Sequence, residues 1–413
     1  MVGCATVPAV RLDQGPVQEQ LKPLEEHVLA DSQQLKKHLE ESGALYEEDA
    51  LQAYLDELAR PIFTKLESAG SHQLNLRVVR DPTLNAFTLG DGSIYINTGL
   101  IARLTSAQQL AFIVGHETSH VLNRDLLYFT DAAQRKTVAA KLTELVVTPA
   151  LSVVGLGGVA DAGVNMTYAA SIMGYGRERE ARADEDSVRL MQQLGYDPRE
   201  ALRIFDAFLS EDTQYQQGLE LAFLSSHPSN EARRSALQQQ LGRDVSAPNS
   251  PIPDKAFLTA TEGVRLENAS LDTQLGRYHH AINTLEAIIR RAPEQAMAHA
   301  LLADAYRLIA EHPERLKEEV SKNTWKELCD AAGDTPESYW RSKARESYER
   351  ASSLDPALPE PYRGLGLLAE AEGRPDEARQ YLQRYLTMSP DAKDRRFVMS
   401  KIVHLQPSAA SQP

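Results

Sequence analysis

The chain has 413 residues, with 44 basic and 58 acidic side chains and a formal net charge of −14. That surplus of negative charge argues against nucleic acid as a partner. The length provides for two or three domains with cores of their own, and a count of two cysteines excludes a disulfide framework.

An N-terminal arm over residues 1–45 carries one helix rich in Gln, Glu and Lys, and a second helix over Glu47–Glu67 leads into a region, 46–242, that holds the chemistry. Residues 83–97 read as a β-hairpin, with Leu89-Gly90-Asp91-Gly92 as the turn between two β-prone runs. Asn85, Ala86 and Phe87 on its first strand are placed to pair with an extended peptide at a sheet edge. Ser106, with Gln109 three residues on, is a capping-box start for the next helix. Leu110-Ala111-Phe112-Ile113-Val114-Gly115 is apolar all round, the pattern of a helix buried in a core.

That helix runs into His116-Glu117-Thr118-Ser119-His120. Histidines four apart on a helix share one face and present two imidazole nitrogens to a single zinc ion. At the end of a buried helix they need partners, because an unpaired polar group there costs on the order of 2–7 kcal/mol. A catalytic zinc takes three protein ligands and keeps one position open. The third ligand is sought in Tyr175-Gly176-Arg177-Glu178-Arg179-Glu180-Ala181-Arg182-Ala183-Asp184, which opens a helical run ending at Gly195. Glu180 is preferred over Glu178 and Glu185 because Asp184 lies one turn further on the same face. From there Asp184 can accept the second N–H of a ligand imidazole. Most of the surrounding charges, Arg177, Arg179 and Arg182 among them, belong to a solvated face.

Between the two motifs, Val146 to Gly176 is weakly charged and broken by Asp161. Each half is short of the roughly 20 residues that span a bilayer, so the tract reads as a helix pair or a flap over the cleft. The Pro- and Ser-rich run that begins at Gly242-Arg243 reads as a linker, taken as residues 243–258. Beyond it, residues 259–405 show tetratricopeptide spacing. Leu275-Gly276-Arg277-Tyr278, Ala281, Leu285, Ala287 and Pro293 mark one unit, and Leu365-Gly366, Ala369, Gly373, Ala378, Tyr381, Leu382 and Pro390 mark another. A middle repeat, with helices at Ala298–Ile309 and Ala344–Pro356, is split by an insertion around Trp325 and Cys329. Such stacks present a groove for peptide or protein, and residues 406–413 form a tail.

His-Glu-x-x-His followed by Glu-x-x-Ala-Asp resembles the gluzincin metallopeptidases of family M48. Asn85-Ala86-Phe87, the run Gly92–Leu100, and Ser226-His227-Pro228 with Arg233 resemble further blocks of that family, in its order. Asp125 departs from the pattern, since many members carry a basic or histidine residue there. The resemblance implies an α+β gluzincin domain, mainly α with a small β-sheet, followed by an all-α repeat solenoid. It implies one zinc per chain held by His116, His120 and Glu180. Glu117 is then the base that takes a proton from water and passes it to the leaving amine. His227 and Arg233 are assigned to the oxyanion, although His227 could instead occupy the open zinc position in a resting state.

Val2-Gly3-Cys4-Ala5 resembles the end of a bacterial lipoprotein signal, with Cys4 as the lipidated residue. Together with the family's periplasmic members that carry repeats, this implies a periplasmic protein anchored to the outer membrane. Its expected work is hydrolysis of misfolded or misassembled envelope proteins, bound in extended form, with the repeat groove engaging substrate or envelope assembly machinery. A second reading is an assembly chaperone or scaffold that acts through the repeats and keeps a latent protease site.

Overall fold

A computed structural model describes residues 10–67, 74–135, 175–215, 230–242, 254–333 and 335–405. The described residues fall into two compact units. The first runs to Thr213 and resumes through Val264; the second holds Gln214, Tyr215 and the residues from Arg265 onward.

In the first unit, helices α1 (Lys22–Glu41) and α2 (Asp49–Glu67) precede strands β1 (Asn75–Val79), β2 (Ala86–Thr88) and β3 (Ser93–Asn97). β3 is central: β1 pairs with it in parallel and β2 in antiparallel register, with Phe87 opposite Tyr95. Those two rings stack at 5.1 Å, and every residue of β3 is buried. The hairpin thus forms as its turn residues indicate, and β2 stands at the edge of the strand order.

Helices α3 (Thr98–Arg103), α4 (Ala107–Leu122) and α5 (Asp125–Arg135) follow. Ser106 caps α4, its Oγ accepting the Gln109 backbone N–H at 3.3 Å. From Gln109 onward every residue of α4 is buried, so the helix lies inside the core rather than on it. Helices α6 (Arg177–Gln193), α7 (Arg199–Gln214) and α8 (Asn230–Leu241) complete the surroundings. α6 turns Ala183, Ser187, Val188 and Met191 inward against α4. The two helices meet closely at Gly115, where a Cβ would stand 2.7 Å from Ser187 Oγ, and that hydroxyl donates to Phe112 O at 2.6 Å.

The linker reading ends too late. Asp254 caps a short helix, α9 (Lys255–Ala260), and accepts the Ala107 backbone N–H at 3.3 Å. Phe257, with 0% exposure, and Val264 pack into the same core as Leu51, Phe112 and Phe205. Residues 254–264, expected as linker and as the start of the repeats, therefore belong to the first unit. A single aromatic anchor outweighs the Pro- and Ser-rich run before it.

The second unit is a helical stack. It comprises α10 (Glu262–Gln274, shared with the first unit), α11 (Tyr278–Arg291), α12 (Ala296–Glu311), α13 (Pro313–Glu319), α14 (Lys322–Ala332), α15 (Pro336–Leu354), α16 (Glu360–Ala371), α17 (Pro375–Met388) and α18 (Arg395–His404). Small residues bring neighbours together: fully buried Ala298, Ala303 and Ala305 line α12, and Gly364 lies so close to the Tyr348 ring that a Cβ would overlap it. The insertion around Trp325 and Cys329 forms α13 and α14, which wall an apolar cavity of about 310 Å³ with Leu316, Trp325, Leu328 and Trp340.

Among the described residues no helix is long and apolar enough to cross a membrane. Cys4, His227, the linker residues 243–253 and the tract from Val146 as far as residue 174 lie outside the described residues.

Candidate metal centre

Two helices supply the centre. α4 carries His116 and His120 one turn apart, and α6 brings Glu180 from its first turn. His116 Nε2 lies 3.1 Å from His120 Nε2 and 3.3 Å from Glu180 Oε2, and His120 Nε2 lies 3.7 Å from Glu180 Oε1. All three residues are almost fully buried.

The outer nitrogens decide what these atoms can bind. Asp184 Oδ1 sits 3.0 Å from His116 Nδ1, and Asp125 Oδ2 sits 2.9 Å from His120 Nδ1. Asp184 is held as a carboxylate by Arg233, whose Nε and Nη2 donate at 2.9 and 2.6 Å. Asp125 accepts from Arg182 at 2.6 Å, with Arg179 Nε 3.4 Å away. A carboxylate only accepts, so each imidazole donates through Nδ1 and turns an Nε2 lone pair inward. Two lone pairs 3.1 Å apart, facing a carboxylate in a buried site, repel unless a proton or a metal cation lies between them. A tetrahedral zinc with bonds of about 2.0–2.1 Å sets its donors about 3.3 Å apart; the imidazole nitrogens stand 3.1 Å apart, each has a different Glu180 oxygen at 3.3 or 3.7 Å, and one ligand atom from each residue lies within 4.8 Å of the others. The donor set fits the ion.

The electrostatics agree. Burial resists charge on His116, yet its bonds to Asp184 and Glu180 pull its pKa up to about 9, so the surrounding carboxylates favour positive charge at this point, carried by a proton on Nε2 or by a metal ion that displaces it. Burial would also raise the Asp184 pKa, but Arg233 and His116 hold it well below the usual carboxylate range. For Glu117, burial dominates and raises the pKa, against the pull of both histidines. Glu180 is oriented by the Tyr175 backbone N–H, which donates to Oε1 at 3.1 Å, while the Tyr175 ring lies 4.5 Å from that of His120.

The geometry brings together His116, His120, Glu180, Asp184 and Arg233, and Asn85, Ala86 and Phe87 stand on or beside the edge strand β2. Arg233, assigned to the oxyanion by the resemblance, donates through Nε and Nη2 to Asp184, and its guanidinium lies 4.9 Å from the centre of the Phe205 ring. Asp125, the residue that departs from the family pattern, is a direct partner of His120. Tyr175 is likewise part of the centre and had no assigned role.

Two buried histidines and a carboxylate converging from adjacent helices, with a glutamate between the histidines, define a metallohydrolase type of centre. Residues 46–241 match the model for Peptidase family M48, and residues 338–402 match that for the tetratricopeptide repeat. The first unit is thus a Peptidase family M48 domain, a family that uses zinc, and the second carries tetratricopeptide repeats. The chain is 28% identical over 166 residues to the mitochondrial metalloendopeptidase OMA1 of Schizosaccharomyces pombe, covering 40% of this chain and 46% of that one. It is 22% identical over 224 residues to the beta-barrel assembly-enhancing protease of Yersinia pestis, covering 54% and 45% respectively. For the protein of that name from Escherichia coli the identity is 23% over 203 residues, covering 48% and 40%. The chain therefore spans less than half the length of these curated relatives.

Proposed function

We propose that this chain is a zinc metalloendopeptidase. The observation that carries the reading is the convergence of His116 Nε2, His120 Nε2 and the Glu180 carboxylate, all buried, with Glu117 between the two histidines in the chain. When bound, zinc supplies Lewis acidity that polarises the scissile carbonyl and acidifies water. Asp184 and Asp125 hold the imidazoles in one tautomer, and Tyr175 holds the Glu180 carboxylate in place. Glu117, with its raised pKa, accepts a proton from water and returns it to the leaving amine. His227 supplies the donor for the oxyanion, and Arg233 acts by fixing Asp184.

The substrate in this reading is an extended segment paired along β2, from misfolded or misassembled proteins of the bacterial envelope, and the repeats recruit it or a partner. The similarity to the Yersinia and Escherichia beta-barrel assembly-enhancing proteases supports that choice. Cys4 is the proposed lipid attachment, which would place the protein in the periplasm on the outer membrane. A denatured outer-membrane β-barrel protein and its refolded form, offered separately to the zinc-loaded chain, test the substrate class. Fragments from the denatured form alone are expected; equal cleavage of both forms, or of neither, contradicts it. If Glu117→Gln fully retains the envelope phenotype of wild type, the repeats do the main work as a scaffold.

A further inference from the structure

Among the described residues, Arg124 is the one non-glycine with a positive φ, at 50°. It sits between α4 and α5, and its left-handed turn lets Asp125, the first residue of α5, bring its carboxylate to His120. An arginine in this conformation needs external support. Its partly buried guanidinium has three acceptors, all from the N-terminal region: Glu25 Oε1 at 2.9 Å, Val10 O at 2.9 Å and Gly15 O at 3.0 Å. The arm is fastened in turn by the Val10 N–H, which donates to the Tyr128 hydroxyl at 2.7 Å, and by Val17, which packs with Leu126 and Leu127 of α5.

We infer that the N-terminal arm is a positioning element of the metal centre, and that Arg124 is the positioning residue through which it acts. The arm holds Arg124, Arg124 sets the start of α5, and Asp125 there fixes His120 while also receiving Arg182 and Arg179 from the helix that carries Glu180. The arm thus governs how tightly the ligand set is held. This rests on the zinc site proposed above and extends it to residues that touch neither metal nor substrate.

The test is the rate at which the full-length zinc-loaded protein releases zinc to a chromogenic chelator, measured well below the melting temperature. Asp125→Asn should speed release about 10–100-fold, as loss of an outer partner of a ligand histidine does. Arg124→Gly keeps the backbone turn but removes the guanidinium, and Glu25→Gln removes one charged acceptor; each should speed release by at least about threefold by the same mechanism. Leu51→Ala, a cavity in α2 within the first unit's core but outside the arm, serves as control: it should lower the melting temperature and leave release unchanged. Wild-type release rates for both Arg124→Gly and Glu25→Gln would overturn the inference, as would acceleration by Leu51→Ala equal to theirs. Should Arg124→Gly not fold, Glu25→Gln decides alone. A wild-type chain that binds no zinc would instead bring down the underlying site.

Discussion

Replacing Arg233 by methionine separates two roles for this residue. The substitution keeps an apolar stem against Phe205 and removes the guanidinium from Asp184, a pair in which Arg233 is 5% exposed and Asp184 is 4% exposed. Two charge-assisted bonds, at 2.9 and 2.6 Å, are lost and a buried carboxylate is left without its cation. Breaking a buried pair from one side costs about 3–5 kcal/mol. An independent bound agrees: Asp184 can escape by protonation, and protonating a carboxyl of ordinary pKa at pH 7 costs about 4 kcal/mol. A protonated Asp184 orients His116 poorly, so zinc affinity should also fall about 10–100-fold. Calorimetry can follow the first unit while tryptophan emission follows the second, because Trp325 and Trp340 are the only two tryptophans. The expected result is a loss of about 4 kcal/mol in the first unit with the emission transition unmoved. Adding Asp184→Asn, which removes the stranded charge, should restore most of that loss. A change below about 1 kcal/mol with zinc retained, and turnover reduced about 10²–10³-fold as for a missing oxyanion donor, would refute the structural role and return Arg233 to the reaction.

Three further outcomes follow from the packing and the charges. Gly115→Ala places a Cβ 2.7 Å from Ser187 Oγ, so α4 and α6 must part; the cost should be about 1–3 kcal/mol with weaker zinc binding, and Ser187→Ala in the same chain should recover part of both. Phe257→Ala should destabilise the first unit by about 3–5 kcal/mol and leave the tryptophan transition unchanged; a shift of the tryptophan transition instead would assign residues 254–264 to the repeats. In the second unit, burial raises the Glu319 pKa to about 7 and lowers that of His279 to about 4. As pH rises from 4.5 to 6.5 the Glu319 contribution to stability is lost while that of His279 is gained, so in wild type the two largely cancel. Relative to wild type, His279→Asn should make stability fall more steeply over that window and Glu319→Gln should make it rise, by more than about 1 kcal/mol each; pH profiles parallel to wild type would refute both shifts.

What the sequence made legible follows the reach of its periodicities. The four-residue spacing of His116 and His120, the step from Glu180 to Asp184, the hairpin turn and the tetratricopeptide spacing are local patterns, and local geometry alone places those side chains. Asp125 escapes such reading. Five residues after His120 on a continued helix it would point away, and only the left-handed Arg124 returns it to the imidazole. Nothing in the local sequence announces that turn, since its support comes from Val10, Gly15 and Glu25 far upstream. Arg233 was found in the right neighbourhood with a different partner, because a long cationic side chain reaches either a carboxylate or a reaction centre and spacing does not say which. Phe257 shows a third kind of limit: the short apolar run Ala256-Phe257-Leu258 after a Pro- and Ser-rich stretch is too brief to carry a period, yet the burial of Phe257 decides where the unit ends.

The central claim is most directly tested by zinc content and cleavage of an unfolded polypeptide such as casein, comparing wild type with Glu117→Gln. The account predicts one zinc per chain in both proteins, cleavage by wild type, and loss of cleavage in the variant. Cleavage by Glu117→Gln at the wild-type rate, or a wild-type chain that cleaves without retaining zinc, would contradict it.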